Sequence, residues 1–300
     1  MTNMTDTDQK YDHVRSSLQH LLELPVDQRK MICLQDVFID YPTAQSIFET
    51  INYMLKVTNK VQAPCMLVWG TGGRGKTSIV QRLKVLNETQ EEKLVFISFR
   101  QNPNNYDLRD LLYSSFGMPI KRKYSNYDAS KEFALTVQRM NIRGIVIDEI
   151  HDALTLTAFQ QKVNLSLLKN LSGDPYNLSV FAFGIETASE ALQLDPQLER
   201  RYLQWPLPSW SLDEDFRSFL AAYERLLPLK MPSELWSKNL ATRLHKLSGG
   251  HMDTVAKIIQ VCAAEAVLSG TEKITLELIN RAPMLGPKFG VSILIRPQKA

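Results

Sequence analysis

Apolar residues at helical spacing open the chain. Val14, Leu18, Leu21 and Leu22 share one side of a helical wheel until Pro25 interrupts them, so residues 1–40 read as an N-terminal helical extension. The spacing returns over Ala44–Leu55, with Ile47, Ile51, Met54 and Leu55 on one face. A different rhythm follows. Cys65–Trp69 is a short apolar run that predicts a buried strand, Gly70–Gly75 a glycine-rich turn, and Thr77–Leu86 a helix. Leu94–Phe99 predicts a second strand and Leu108–Phe116 an amphipathic helix ended by Gly117, Met118 and Pro119. Lys131–Met140 predicts another helix, and Gly144–Ile147 a third strand that runs into acid. A helix over Phe159–Leu171 leads through the turn Gly173-Asp174-Pro175 to a fourth strand, Leu178–Phe183. A short helix separates that from a fifth, Tyr202–Leu207. Strands alternating with helices imply an α/β fold with a five-stranded parallel sheet covered on both faces.

Beyond Pro208 only helical periods remain: Phe216–Leu227, Leu235–Leu247, Thr254–Val267 and Leu276–Leu278, with Gly249-Gly250 between two of them. The expected organisation is therefore an extension over 1–40, an α/β core over 41–208, a helical lid over 209–282 and a tail over 283–300.

Composition narrows the classes. With 44% hydrophobic and 22% charged residues this is an ordinary globular chain, and no run approaches the ~20 apolar residues that span a bilayer. The polar start, MTNMTDTDQK, argues against a signal peptide. Cys33, Cys65 and Cys262 are odd in number and widely spaced, which suggests neither a disulfide framework nor a zinc site and fits a cytoplasmic protein without a membrane partner. A net charge of +3 does not by itself announce nucleic-acid binding; such a surface must come from local clustering.

Gly70-Thr71-Gly72-Gly73-Arg74-Gly75-Lys76-Thr77 matches G-x-x-x-x-G-K-[ST] in full, between a predicted strand and helix. The glycines let backbone N–H groups surround the phosphates of ATP. Lys76 is placed to reach the β- and γ-phosphates, Thr77 to hold Mg²⁺, and Ser78 follows at the helix start. Ile145-Val146-Ile147-Asp148-Glu149 supplies a second half. A strand delivers Asp148 to the sheet end, where it can hold magnesium through water, and Glu149 can polarise the attacking water. Alone, that pair suits a helix N-terminus equally well; beside an intact phosphate loop it points to hydrolysis rather than kinase-like transfer. Arg200-Arg201 is either a surface basic pair or a source of positive charge for a neighbouring subunit's γ-phosphate. Lys121, Arg122 and Lys123, near Tyr124 and Tyr127, form the densest basic patch, either a solvated loop or a phosphate-binding one. His151 reads as a helix-start residue.

From about Asp36 to Ala282 the chain resembles the TnsC/TniB group of AAA+ transposition ATPases, relatives of MuB. The phosphate loop is generic. More specific are Phe38-Ile39-Asp40-Tyr41-Pro42, Gly117-Met118-Pro119 and Asp148-Glu149-Ile150-His151. The most specific are the run Leu194-Asp195-Pro196-Gln197-Leu198-Glu199-Arg200-Arg201-Tyr202 and the turn Leu207-Pro208-Ser209-Trp210. The resemblance implies an AAA+ core with a helical lid that oligomerises on double-stranded target DNA as a ring or filament. It further implies recruitment of a transposase and contact with a TniQ-like target-selection protein. By position it makes Arg201 the trans-acting arginine, puts Tyr41 near the adenine, and turns the loop of Lys121, Arg122 and Lys123 toward DNA. A replication-initiator or helicase-loader ATPase shares the core and is the alternative. Two departures stand out: relatives carry Thr where Gly184 is followed by Ile185, leaving Thr187 or Glu186 as γ-phosphate sensor, and the lid offers Lys257 where many relatives have an arginine. Slow or partner-dependent hydrolysis fits both.

Overall fold

The computed structural model describes residues 11–57, 60–99, 107–118 and 129–295. Lys121, Arg122 and Lys123, with Tyr124 and Tyr127, lie outside them.

The described chain opens with a 3-10 helix, Ser16–Glu23, and then α1 (Val26–Cys33) directly after Pro25. Proline has a helix-compatible φ and lacks the N–H that a first turn leaves unpaired, so Pro25 starts one helix as well as ending the segment before it. Next come α2 (Pro42–Lys56), β1 (Cys65–Trp69), α3 (Lys76–Asn87), β2 (Lys93–Ser98), α4 (Leu108–Ser115), α5 (Ala129–Arg139), β3 (Ile142–Asp148) and the single turn α6 (His151–Leu154). They are followed by α7 (Ala158–Leu171), β4 (Ser179–Gly184), α8 (Glu186–Gln193), α9 (Pro196–Arg201) and β5 (Tyr202–Pro206). The remaining helices are α10 (Glu214–Glu224), α11 (Lys238–Ser248), α12 (Met252–Ser269) and α13 (Leu276–Leu285). Side-chain caps set several starts: Asp107, Thr157, Asp195, Asp213 and Thr275 each accept a backbone N–H from the first turn of the helix they precede.

The five strands form one sheet in the order β2-β3-β4-β1-β5, every neighbouring pair parallel. Successive side chains point to opposite faces. Cys65, Leu67, Val95, Ile97, Ile145, Ile147, Val180 and Ala182 face one way and are buried with Leu112 of α4, Phe133 of α5, Leu168 of α7 and Leu192 of α8. The alternate set, including Met66, Val68, Val146, Phe181 and Phe183, is equally buried, and α3 packs across β2, β3 and β4 through Ile79, Val80 and Leu83. Helices thus cover both faces, as the strand–helix alternation predicts.

The chain divides into two compact units: Thr43–Pro208, which holds the sheet, and an all-helical one made of the residues up to Pro42 and those from Ser209 on. The N-terminal segment thus shares a core with the C-terminal helices. Cys33 and Ile39 pack among residues of α10 to α13, around an α12 buried along nearly its whole length. Arg29 is 2% exposed; its Nε donates to the Pro228 carbonyl (3.1 Å) and its guanidinium forms an ion pair with Glu272. Gln260 donates to the Gln35 carbonyl at 3.0 Å. The buried Glu224 carboxylate accepts the N–H groups of Ser233, Glu234 and Leu235 at 2.6, 2.9 and 2.8 Å, closing the turn before α11.

Candidate nucleotide-binding and hydrolysis site

Gly70 to Thr77 joins the C-terminal end of β1 to the N-terminus of α3. Gly73 and Gly75 have φ of +79° and +87°, the left-handed region that side chains avoid, and such a backbone gathers successive N–H groups into a concave nest. Gly70 meets a different constraint: a Cβ there would lie 2.7 Å from the Leu207 carbonyl oxygen. That carbonyl accepts Arg74 Nη1 at 3.1 Å, while Arg74 Nε donates to Thr71 Oγ1 at 3.0 Å. The Leu207 N–H in turn donates to the Trp69 carbonyl at 2.7 Å. Arg74 therefore braces the loop against the end of β5 from within. Lys76 is buried and its Nζ donates to the carbonyls of Gly70 (2.7 Å) and Thr71 (3.1 Å), so its ammonium is held inside the loop. Thr77 is half-buried at the first turn of α3, and Ser78 is exposed beside it.

β4 lies between β1 and β3, so the acidic pair sits two strands from the loop, about 10 Å across the sheet. The register Ile147↔Ala182↔Leu67 puts Asp148 level with Val68 and the next residue level with Trp69, at the same C-terminal edge. Asp148 is 4% exposed, and its Oδ1 accepts the Glu149 N–H at 3.1 Å. Glu149 adopts φ +57°. Beyond it, the Ile150 N–H donates to the Phe183 carbonyl at 2.9 Å. α7 grips the other side of this turn: Asn164 Nδ2 donates to the Ala153 carbonyl and Gln161 Nε2 to the Leu154 carbonyl, both at 2.8 Å. Gly184 ties the halves together. Its carbonyl accepts the Gly70 N–H at 3.2 Å, and a Cβ on it would stand 3.0 Å from both Ile150 and Ala188. His151 does begin α6, but its Nδ1 also lies 3.3 Å from Glu149 Oε2. A helix-start reading missed this contact; the i, i+2 spacing inside a tight turn was the available signal.

After Gly184, Ile185 is half-buried and Glu186 exposed, while Thr187 Oγ1 is buried without a hydrogen-bond partner among the described residues. The Leu194–Tyr202 run has a local physical meaning. Asp195 caps α9 by accepting the N–H groups of Gln197 and Leu198, and Pro196 takes the first helical position. Lys169 Nζ bonds Asp195 at 2.9 Å and holds its carboxyl below the usual range. Arg201 Nη1 donates to the Lys169 carbonyl (2.9 Å) and Ser172 Oγ (3.2 Å), so α9 is clipped to the end of α7. Arg200 is exposed. Because Tyr202 pairs with Cys65, both arginines lie at the opposite sheet edge from Gly70, about 16 Å away along β1.

In the helical unit, Tyr41 is buried with its ring 5.2 Å from that of Trp210, and burial pushes its hydroxyl up to about 12. The Trp210 carbonyl lies 2.4 Å from where a Gly250 Cβ would be, which explains the second glycine of the pair. The first, Gly249, ends α11 in the left-handed conformation. Lys257 pairs along its own helix with Asp253 at 2.9 Å.

Among the described residues no cluster of three or more His, Cys, Asp or Glu could hold a metal by itself. A magnesium that takes one or two protein oxygens plus substrate phosphates needs none, so Thr77 and Asp148 fit that chemistry. No described helix is long and apolar enough to cross a membrane.

Solved structures of the same fold include Cdc6p from Pyrobaculum aerophilum, at 13% identity and TM-score 0.57, covering 89% of this chain and 86% of that one. The Walker-type ATPase paby2304 of Pyrococcus abyssi matches at 16% identity and TM-score 0.55, over 85% of this chain and 74% of its own. Drosophila ORC bound to DNA matches at 17% and 0.56, over 94% and 69%. These likenesses show an AAA+ P-loop ATPase fold. No curated protein sequence matches the chain. The model of the family described as bacterial TniB protein matches residues 29–212, more than half of the 300, and the chain belongs to that family.

Proposed function

We propose that the chain is an ATPase that assembles on double-stranded target DNA as an ATP-dependent ring or helical filament, and there recruits and activates a transposase. The observation that carries this reading is the extent of the TniB match, which takes in the phosphate loop, the acidic turn and the α9 run together. Bound ATP with Mg²⁺ supplies the terminal phosphoryl group and the charge that activates it. Lys76 moves its ammonium from the loop carbonyls to the β- and γ-phosphates, and the N–H groups from Gly70 to Thr77 line the rest of the cradle. Thr77 and Asp148 would hold the magnesium, which would offset charge on the phosphates. Glu149 accepts the proton of the attacking water. Arg201, too far from its own subunit's cradle, serves the neighbour's. Tyr41 flanks the adenine, and Lys121, Arg122 and Lys123 pair with DNA phosphates.

A replication-initiator or helicase-loader role is the second reading. The likeness to Cdc6p and to ORC suits it, and DNA in the Drosophila ORC structure suits either. The family match is what favours the transposition reading over this one. Electron microscopy of the protein with duplex DNA and a non-hydrolysable ATP analogue tests the proposal. Ordered rings or filaments on DNA are expected; single copies that stay off DNA overturn it. Capture of a replicative helicase instead of a transposase and a TniQ-like partner would move the chain to the second reading.

A further inference from the structure

We infer that Arg74 is a positioning residue: it ties the glycine-rich phosphate loop to the carbonyl that follows β5, and so sets nucleotide affinity rather than turnover. The inference rests on the proposed role of residues 70–77 as the cradle.

A loop this rich in glycine does not hold its own shape. Gly72, Gly73 and Gly75 leave Arg74 as the one side chain between Thr71 and Lys76, and the glycines on either side of it sit at φ +79° and +87°. Glycine loses more backbone freedom on ordering than any other residue, so a cradle that formed only around the phosphates would bind them more weakly. Packing at the tip offers little: a Cβ on Gly72 would meet nothing within 4 Å. Two cations supply what the backbone lacks. Lys76 Nζ donates to the carbonyls of Gly70 and Thr71, but in the proposed function those are the bonds it gives up when its ammonium goes to the phosphates. Arg74 is bonded elsewhere. Its Nη1 donates to the Leu207 carbonyl at 3.1 Å and its Nε to Thr71 Oγ1 at 3.0 Å, so one planar guanidinium joins the start of the loop to a residue 133 positions beyond it. Leu207 is itself fixed, because its N–H donates to the Trp69 carbonyl at 2.7 Å and the strand before it pairs with β1 from Tyr202 to Pro206. These bonds need not break for a nucleotide to enter, and the loop keeps its shape while Lys76 changes partners.

The test measures ATP and ADP affinity, and turnover at saturating ATP with duplex DNA, for the parent, Arg74→Ala, Arg74→Lys, Thr71→Val, the double variant Arg74→Ala/Thr71→Val and Lys76→Ala. Losing these partly exposed hydrogen bonds from a charged donor predicts that Arg74→Ala weakens ATP and ADP alike by about tenfold, with kcat unchanged. Thr71→Val removes one acceptor; it weakens both nucleotides by about threefold and adds nothing in the Arg74→Ala background. Arg74→Lys stays weak, since a single ammonium does not reproduce the fork. An arginine that touched the γ-phosphate would instead weaken ATP more than ADP and be largely restored by lysine, and either result overturns the brace. So does a fall in kcat that matches the fall in affinity, or a double variant whose losses simply add. Arg74→Ala binding both nucleotides like the parent, while Lys76→Ala binds neither, overturns the role of Arg74 alone. Lys76→Ala binding like the parent overturns the cradle beneath it.

Discussion

Arg201 is asked to do two things, and their energies can be separated. Within its own subunit it donates to the Lys169 carbonyl and to Ser172 Oγ, placing a positive charge at the C-terminal end of α7. Hydrogen bonds from a charged donor contribute about 1.5–3 kcal/mol when well shielded, and a cation at a helix C-terminus about 0.3–1 kcal/mol. The site is half-exposed, so Arg201→Ala should cost about 2 kcal/mol. For a unit of this size that lowers Tm by about 4–8 °C. Arg200 is exposed, so Arg200→Ala should stay within about 0.5 kcal/mol of the parent. Serving a neighbour's nucleotide requires the Arg201 guanidinium to leave both bonds, and the triphosphate charge must offset that loss. Arg201→Ala should therefore also weaken ATP-dependent assembly and DNA-stimulated hydrolysis, while monomers bind ATP as before. Thermal melts read the first effect; sedimentation and turnover with DNA read the second. An Arg201→Ala variant that melts early but assembles normally, beside an Arg200→Ala variant that fails to assemble, would make Arg200 the trans-acting group and Arg201 only a clip. Unchanged melting of Arg201→Ala would refute the clip itself.

Lys76→Ala removes the buried ammonium at the centre of the cradle and should abolish nucleotide binding; unchanged ATP affinity in a folded variant, by titration calorimetry, would disprove that role. Glu272→Gln should destabilise the protein by about 3 kcal/mol in chemical denaturation, because it leaves the guanidinium of the buried Arg29 without its countercharge. Burial works against ionising Glu272, but its bonds from Arg29 and the Lys230 N–H outweigh this and lower its proton affinity from the ordinary value of 4.5. That stabilisation is present above 4.5 and is lost as pH falls below it, so the parent should show an acid-side decline that Glu272→Gln flattens. Replacing Lys121, Arg122 and Lys123 together by alanine should flatten the log affinity against log salt slope for duplex DNA by about 2–3 units, with ATP present. Equal slopes would place the DNA contact elsewhere.

Local backbone structure was legible and long-range pairing was not. The glycine-rich turn after β1 and the strand before Asp148 announce themselves because their signals, glycine spacing and an apolar run ending in acid, lie within a few residues. Strand ends shifted by only a residue or two: the fourth strand runs Ser179–Gly184 where Leu178–Phe183 was predicted. The last helix was predicted to stop at Leu278 but continues to Leu285 through Pro283, since tertiary burial of Ile279, Ala282 and Leu285 outweighs one lost N–H. Nothing in the spacing of Val14, Leu18 and Leu22 says that the segment's partners lie more than 200 residues on, as the His13 contact with the Leu229 carbonyl does. The same holds for Arg74, whose partner carbonyl at Leu207, just past β5, lies 133 residues along the chain. The resemblance identified Arg201 by position, but no sequence pattern reveals that its guanidinium is already bonded to α7.

The strand order sets a timetable for synthesis. β2 and β3 can pair as soon as Asp148 has been made, but β1 pairs only with β4 and β5. The strand that carries the phosphate loop must therefore wait, with no partner in the sheet, until the ribosome has passed Gly184. A chain released before that point contains both nucleotide motifs and no site, because the strand that aligns them is missing. Such a fragment would expose the edge of β3 alongside an unpaired, apolar β1, the kind of surface that draws chains into aggregates. Any split or permuted version of this protein should therefore keep residues 65–206 on one piece.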